Sequence, residues 1–374
     1  MKKFILFTIS AVLSLSLLFT ACGKGKDLQN DNDGTITGTG NTQTDENSKG
    51  SSNEDLKVSD FFPFTKDMHM KYKGIGNEYA EFETYVEFIR DNLMQVRNIN
   101  PGTSLAIVYE LKDGELRKIF NKGEVYYRYD YTASAGEKEV LLKEPIKEGT
   151  SWTLKDGIKR SITAIDKKIE TPAGEYPALE VTTEEANSVT TDYYVKNLGH
   201  VKKVYKSKDS DFTVISELEK AESGVPYKER IIFYYPDFNK DKLAYVEKEI
   251  ELFTNTDMKD VFKKEFRNIP KNSSLSKVIS ENTRILKIVL NSPSSNDVNQ
   301  SVIADFSSQL VTEMNAGTSL ESMILSSITN TFGNYYQTQK VGITLDGKPY
   351  ESGHVLMKQD EYFTVDTKNT YEYK

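Results

Sequence analysis

The side chains that could do chemistry in this sequence are few, and their spacing excludes most reactions. Three histidines, His69, His200 and His354, stand far apart, and no pair has the spacing of metal ligands. There is no His-Glu-x-x-His, no Cys-x-x-Cys and no Gly-x-Ser-x-Gly elbow, and Cys22 is the only cysteine. Gly74-Ile75-Gly76 lacks the third glycine and the following helix that a phosphate would need. Carboxylates are abundant, and a glycosidase pair leaves no linear signature. Asp305, at the end of an alternating run, and Asp346, in a turn, are the first candidates for such a pair. Each also has a plainer duty: Asp305 as a cap on the chain after Phe306, Asp346-Gly347 as turn residues. Thr318 and Glu321 have the spacing of a capping box. On these grounds the chain is expected to be non-catalytic, with no metal and no cofactor.

These positions fall in one unit, Ser301 to Leu345, which reads strand, helix, strand. Val302, Ala304 and Phe306 alternate onto one face. Leu320, Met323, Ile324, Ile328 and Phe332 form a stripe at helical spacing, worth roughly 8–15 kcal/mol of burial before entropy is subtracted. Gly333 is expected to end that helix, and Val341, Ile343 and Leu345 alternate again before the Asp346-Gly347 turn.

A resemblance rests on this unit. Ile303-Ala304-Asp305-Phe306-Ser307, Gly317-Thr318-Ser319-Leu320-Glu321, Ser327-Ile328-Thr329-Asn330-Thr331-Phe332 and Val341-Gly342-Ile343-Thr344-Leu345-Asp346-Gly347, in that order and spacing, resemble the GerMN domain of sporulation and spore-germination lipoproteins. The likeness runs, more weakly, over about residues 229–355. Ile279-Ser280 stands where the domain usually has Ile-Pro, and one copy is visible where some relatives carry two. The resemblance implies a non-catalytic role in sporulation or germination, and a fold similar to ring-building modules of secretion machines. Its motif positions here are Asp305, Phe306, Ser307, Gly317, Thr318, Glu321, Asn330, Thr331, Asp346 and Gly347.

Lys and Arg total 48 against 56 Asp and Glu, a net charge of −8. No basic stripe is available for nucleic acid. Met1-Lys2-Lys3 and the apolar run Phe4 to Phe19 read as a signal peptide, residues 1–21. Phe19-Thr20-Ala21-Cys22 is similar to the lipobox of bacterial lipoproteins, with Phe19 in place of the usual Leu. That implies a diacylglycerol thioether on Cys22 and attachment to the outer face of the cell membrane, or to the forespore intermembrane space. Lipidation consumes the lone cysteine, so no internal disulfide is expected. Residues 22–57 are polar and nearly free of apolar side chains, a flexible tether spanning about 30 Å.

From residue 58 to residue 222 short alternating runs are separated by turns: Asp113-Gly114, Asp156-Gly157, Pro172-Ala173-Gly174 and Asn197-Leu198-Gly199. An antiparallel β meander, curled into a sandwich or partial barrel, is expected. Phe82, Thr84, Val86 and Phe88 take one face of an early strand, and Glu81, Glu83 and Glu87 the other. Tyr127, Tyr129 and Tyr131 share a face, opposite Tyr126, and are expected as cross-strand partners rather than sugar-stacking groups. Gly149-Thr150-Ser151-Trp152, Thr171 to Tyr176 and Tyr193-Tyr194 before Gly199-His200-Val201-Lys202 are similar to a β domain of secreted bacterial lipoproteins.

A linker at 223–228 leads to residues 229–374. There Arg230 to Pro236, Leu243 to Leu252 and Ile285 to Leu290 read as strands, and Met258, Val261, Phe262 and Phe266 as one side of a helix. The order β-β-α-β-β-α-β predicts two helices on one sheet of about five strands. The fold expected for the whole is α+β and multidomain: a β-rich unit followed by an α/β unit. Its expected partners are the membrane through Cys22, envelope proteins or peptidoglycan, with self-association suggested by fold analogy. A lytic glycosidase and a wall-binding or solute-binding lipoprotein are the other readings.

Overall fold

The computed structural model describes residues 55–291 and 300–374. The signal peptide, Cys22 and nearly all of the tether lie outside the described residues. A short helix α1 (Val58–Phe61) precedes β1 (His69–Ile75), β2 (Phe82–Arg90), β3 (Leu93–Asn100), β4 (Thr103–Lys112), β5 (Glu115–Lys122) and β6 (Glu139–Lys143). Then come β7 (Ser151–Thr153), β8 (Lys159–Thr171), β9 (Gly174–Glu184), β10 (Ser188–Val195), β11 (Gly199–Ser207) and β12 (Thr213–Glu222). These form a 12-stranded antiparallel sheet in which β1 pairs with β12, so two runs of neighbours meet in the middle. The turns fall where glycine and aspartate allow a left-handed backbone: Asp113 and Gly114 have φ of 56° and 70°, Asn197 and Gly199 of 63° and 109°.

The sheet curls until its two end strands meet through side chains. Trp152 Nε1 and Arg160 Nη1 donate to the Val140 carbonyl at 3.0 and 2.8 Å, and Arg160 Nη2 pairs with Glu139 at 2.9 Å. Val58 and Phe61 of α1 pack inside with Leu116, Leu142, Ile162 and Leu179. This is a near-barrel filled by side chains.

The C-terminal part contains β13 (Tyr227–Asp237), β14 (Lys242–Leu252), α2 (Met258–Arg267), β15 (Ile285–Asn291), β16 (Ser301–Phe306), α3 (Gln309–Thr312) and α4 (Thr318–Tyr335). It closes with β17 (Lys340–Leu345), β18 (Lys348–Pro349), β19 (Phe363–Thr364) and β20 (Thr370–Glu372). The expected strands and long helices are present, but two expectations are corrected. There are two sheets rather than one: β13-β14-β20, and β15-β16-β17-β18 with β19 on β17. A third, short helix, α3, stands between β16 and α4. The strand, helix, strand unit is otherwise as expected, with β16 and β17 parallel and Val302, Ala304, Phe306 and Val341 fully buried. The β13 strand also takes in Tyr227 and Lys228, which the sequence reading assigned to a linker.

One hydrophobic core joins the two parts. Ala106 and Val108 of β4 turn toward Ile231, Phe233, Phe262, Phe332 and Tyr336, while Tyr109 and Leu111 of the same strand face the interior of the near-barrel. Phe262 is its hub, with ring centroids 4.5 Å from Phe332 and 5.3 Å from Tyr335.

Candidate functional site

The motif carboxylates sit together at the ends of β16 and β17, and both are occupied by backbone groups. Asp305 Oδ1 accepts from the Gly347 amide at 2.8 Å and from the Thr344 hydroxyl at 2.6 Å. Asp346, whose φ of 49° builds the turn, accepts the Ser308 amide at 3.1 Å through Oδ2. Each strand end therefore holds the other's amide: Asp346 caps the chain after Phe306, the duty expected of Asp305. Ser307 is buried, and its hydroxyl accepts the Arg284 amide at 3.0 Å. In α4, Asn330 clasps the Asp366 backbone, donating at 2.7 Å and accepting at 3.0 Å, and Thr331 Oγ1 takes the Tyr234 amide of β13.

The expected capping box is absent. Gly317 is the N-cap, Thr318 is the first helical residue, and no side chain caps this end. Glu321 turns inward instead, where its carboxylate accepts Tyr350 Oη at 2.8 Å and His354 Nδ1 at 2.6 Å. Burial alone would raise its pKa, but hydrogen bonds from Ser352, His354 and Tyr350 hold it below the ordinary value. Nor does Gly333 end the helix, which runs on to Tyr335. A Cβ at Gly333 would collide with Val365 Cγ2 and lie 2.8 Å from the Thr338 carbonyl, so the glycine serves a close approach rather than a stop.

The densest group of buried charge lies under this unit, at its seam with the near-barrel. A bulge at Val86/Phe88 turns Glu87 into the protein, where it is 0% exposed rather than on the solvent face expected of it. Glu87 Oε1 accepts Arg97 Nε at 2.7 Å, and Oε2 accepts Gln95 Nε2 at 2.7 Å. Arg97 also donates to the Val125 and Tyr127 carbonyls at 2.6 and 2.7 Å, and Gln95 to that of Tyr129 at 2.9 Å. The tyrosine segment 125–131 is therefore no strand: side chains of β3 satisfy its carbonyls in place of a backbone ladder. Tyr127 and Tyr131 are buried and Tyr126 is exposed, as their alternation implies, but their partners are core rings such as Tyr336 rather than a neighbouring strand. Arg128 donates through Nη2 to the carbonyls of Glu87 and Phe253 and through Nε to that of Thr256. Its backbone amide donates to Tyr335 Oη at 2.8 Å, and that hydroxyl donates to Glu229 Oε2 at 3.0 Å. Burial pushes the Glu229 carboxyl up to about 7, against the pull of Arg97.

Residues 232–351 match the family described as Germane, sporulation and spore germination. The tandem GerMN domains of GerM from Bacillus subtilis are 20% identical and cover 40% of this chain and 51% of that one, with a TM-score of 0.29. An exported protein of YmcC-like fold from Bacteroides fragilis NCTC 9343 is 14% identical over 44% of this chain and 99% of that one, at a TM-score of 0.30. A chain described as a lipoprotein, from Clostridium perfringens, is 17% identical over 36% of this chain and 87% of that one, at 0.23. No curated protein matches the chain.

Within the matched segment the Ser327 and Thr329 hydroxyls of α4 are buried without a hydrogen-bond partner among the described residues. Ser274 and Lys277 have the Ser-x-x-Lys spacing that was expected to be absent from this sequence, but the hydroxyl donates to Asp237 at 3.1 Å and the ammonium pairs with Glu281 at 2.8 Å. Among the described residues no group of three or more His, Cys, Asp or Glu is placed to hold a metal, and no helix is long and apolar enough to cross a membrane. Of the seam residues, Glu87 was placed from sequence only as one face of a strand, and Arg97, Arg128, Glu229 and Tyr335 were not singled out as site residues. Glu87, Arg97 and Glu229 are charges on strands that the fold turns inward, while Arg128 lies in the irregular 125–131 segment and Tyr335 at the end of α4.

Proposed function

We propose that this chain is a lipid-anchored extracytoplasmic protein whose Germane segment acts by binding, without catalysis, in sporulation or spore germination. The observation that carries the reading is the match of residues 232–351, joined to a structure in which Asp305 Oδ1 and Asp346 Oδ2 each accept a backbone amide. A general acid or nucleophile needs a carboxylate free to meet substrate. The apolar run Phe4 to Phe19 ending at Thr20-Ala21-Cys22 supports anchoring through Cys22. Envelope proteins or peptidoglycan are the partners that such an anchored segment would meet. Site-specific photocrosslinking from the exposed face of the Germane segment, in sporulating cells, tests the reading. Capture of an envelope protein or of wall glycan is expected. Release of muropeptides from purified peptidoglycan by the soluble fragment, lost in Asp305→Asn, would overturn it.

A further inference from the structure

A cleft of about 150 Å³ opens at the seam, lined by both the near-barrel and the Germane segment. Its apolar walls are Phe88 of β2 and Tyr129 on one side, and Met258 of α2, Ile288 of β15 and Tyr336 on the other. Arg90, Asp130, Asp257 and Lys259 complete it. The two acids are engaged through both oxygens. Asp130 Oδ1 accepts the Thr132 amide and hydroxyl, and Oδ2 pairs with Arg90 at 3.0 Å. Asp257 caps α2 by accepting the Lys259 amide through Oδ1, and its Oδ2 lies 3.3 Å from the Lys259 ammonium. The cations are not used up. Arg90 spends Nη1 on Ile89 and Asn255 and Nη2 on Asp130, which leaves Nε. Arg128 also lines the cleft, with its guanidinium 4.5 Å over the Phe88 ring. Its side chain is 0% exposed, and its Nη1 has no hydrogen-bond partner among the described residues. Glu87 Oε1 lies 4.0 Å from that nitrogen, beyond hydrogen-bonding range. A buried charged donor left without an acceptor is costly, and here it stands beside an open cleft.

We propose that the seam cleft binds a small organic acid, a carboxylate carried on a flat apolar body, and that Arg128 Nη1 supplies its buried donor. Unspent donors beside acids that are already engaged call for acceptor oxygens, and a guanidinium matches a carboxylate in both charge and shape. The amino end of the ten-residue α2 faces the same cleft through Asp257, Met258 and Lys259, which favours negative charge there. The walls choose among anions. An apolar space of about 150 Å³ accommodates one aromatic ring, and the faces of Tyr129 and Tyr336 suit a flat partner. Inorganic phosphate has nothing to bury against them. A ligand held here touches both parts of the protein at once and so strengthens their contact. The site rests on the cleft alone and is independent of the sporulation reading.

The test is methyl NMR of the full chain labelled at methionine and titrated with benzoate, with benzamide, acetate and inorganic phosphate in parallel. The Met258 methyl resonance, assigned by its loss in Met258→Leu, should shift saturably with benzoate at a millimolar dissociation constant, the strength a probe of this size allows. Benzamide lacks the charge and acetate lacks the ring, so each should bind at least about tenfold more weakly. Arg128→Met should weaken benzoate by at least about tenfold. If that variant fails to fold, Arg90→Gln, which alters a more exposed side chain, should weaken it about threefold. No saturable Met258 shift with benzoate, or benzamide or phosphate binding as tightly, overturns the site. So does benzoate affinity unchanged in Arg128→Met or, where that does not fold, in Arg90→Gln.

Discussion

Arg97→Met removes the central cation of the seam while keeping most of its bulk, and the structure sets the size of the loss. Arg97 is 1% exposed, and its side chain reaches Glu87, Ser104 and the carbonyls of Val125 and Tyr127. Breaking a buried pair from one side costs about 3–5 kcal/mol, because Glu87 stays behind, 0% exposed, with Gln95 as its side-chain hydrogen-bond donor and the Arg128 guanidinium only at 4.0 Å. Two orphaned carbonyls add about 1–3 kcal/mol each where water does not replace the guanidinium. A total of about 5 kcal/mol or more would consume much of a typical stability of about 5–15 kcal/mol. Urea unfolding followed by far-ultraviolet circular dichroism measures it. Replacing Glu87 by Leu in the same chain should then recover at least half the loss, since the uncompensated charge is gone. A loss below about 1 kcal/mol for Arg97→Met, or a double variant no more stable than the single one, would refute the argument.

Four further outcomes follow. Ile328→Asp, at a fully buried position of α4, should cost about 4 kcal/mol or more in the same unfolding assay. Gly333→Ala should lower stability by about 1–3 kcal/mol, because the new methyl meets Val365 and the Thr338 carbonyl; helix propensity alone would predict a gain. Asn330→Ala should release the C-terminal segment, read as faster amide exchange at Asp366 and beyond, since both halves of its clasp are lost. Asp192 is half-buried, which by itself would raise its pKa, but Lys203 and the 2.9 Å bond to His200 hold it down to about 2. Its stabilising contribution is therefore present above 3.8 and lost as pH falls toward 2, and Asp192→Asn should flatten that part of the acid-unfolding curve by about 2 kcal/mol.

Local signals were legible because they depend on neighbours in the chain. The Asp113-Gly114 and Asn197 to Gly199 turns need positive φ wherever they occur, and alternation placed Val302, Ala304 and Phe306 on the buried face. The roles of the motif residues were not, because they are decided by what folds against them. Glu321 has the spacing of a cap, but Tyr350 and His354 arrive from the loop after β18 and offer it stronger donors. Gly333 looks like a helix terminator until Val365 packs across it. The division of the C-terminal strands into two sheets depends on the parallel pairing of β14 with β20, more than a hundred residues apart in sequence and so without a local mark. Glu87 was misplaced by a single bulge, which shifts the face of every residue after it.

The most direct test of the account is complementation of a deletion strain of the organism that encodes this chain, scored as spore yield and germination efficiency. Wild type and the Asp305→Asn, Asp346→Asn double variant should both restore the phenotype, while Cys22→Ala should not. An unchanged phenotype on deletion, or a folded double variant as defective as the deletion, would contradict a role exerted through anchored contact rather than chemistry.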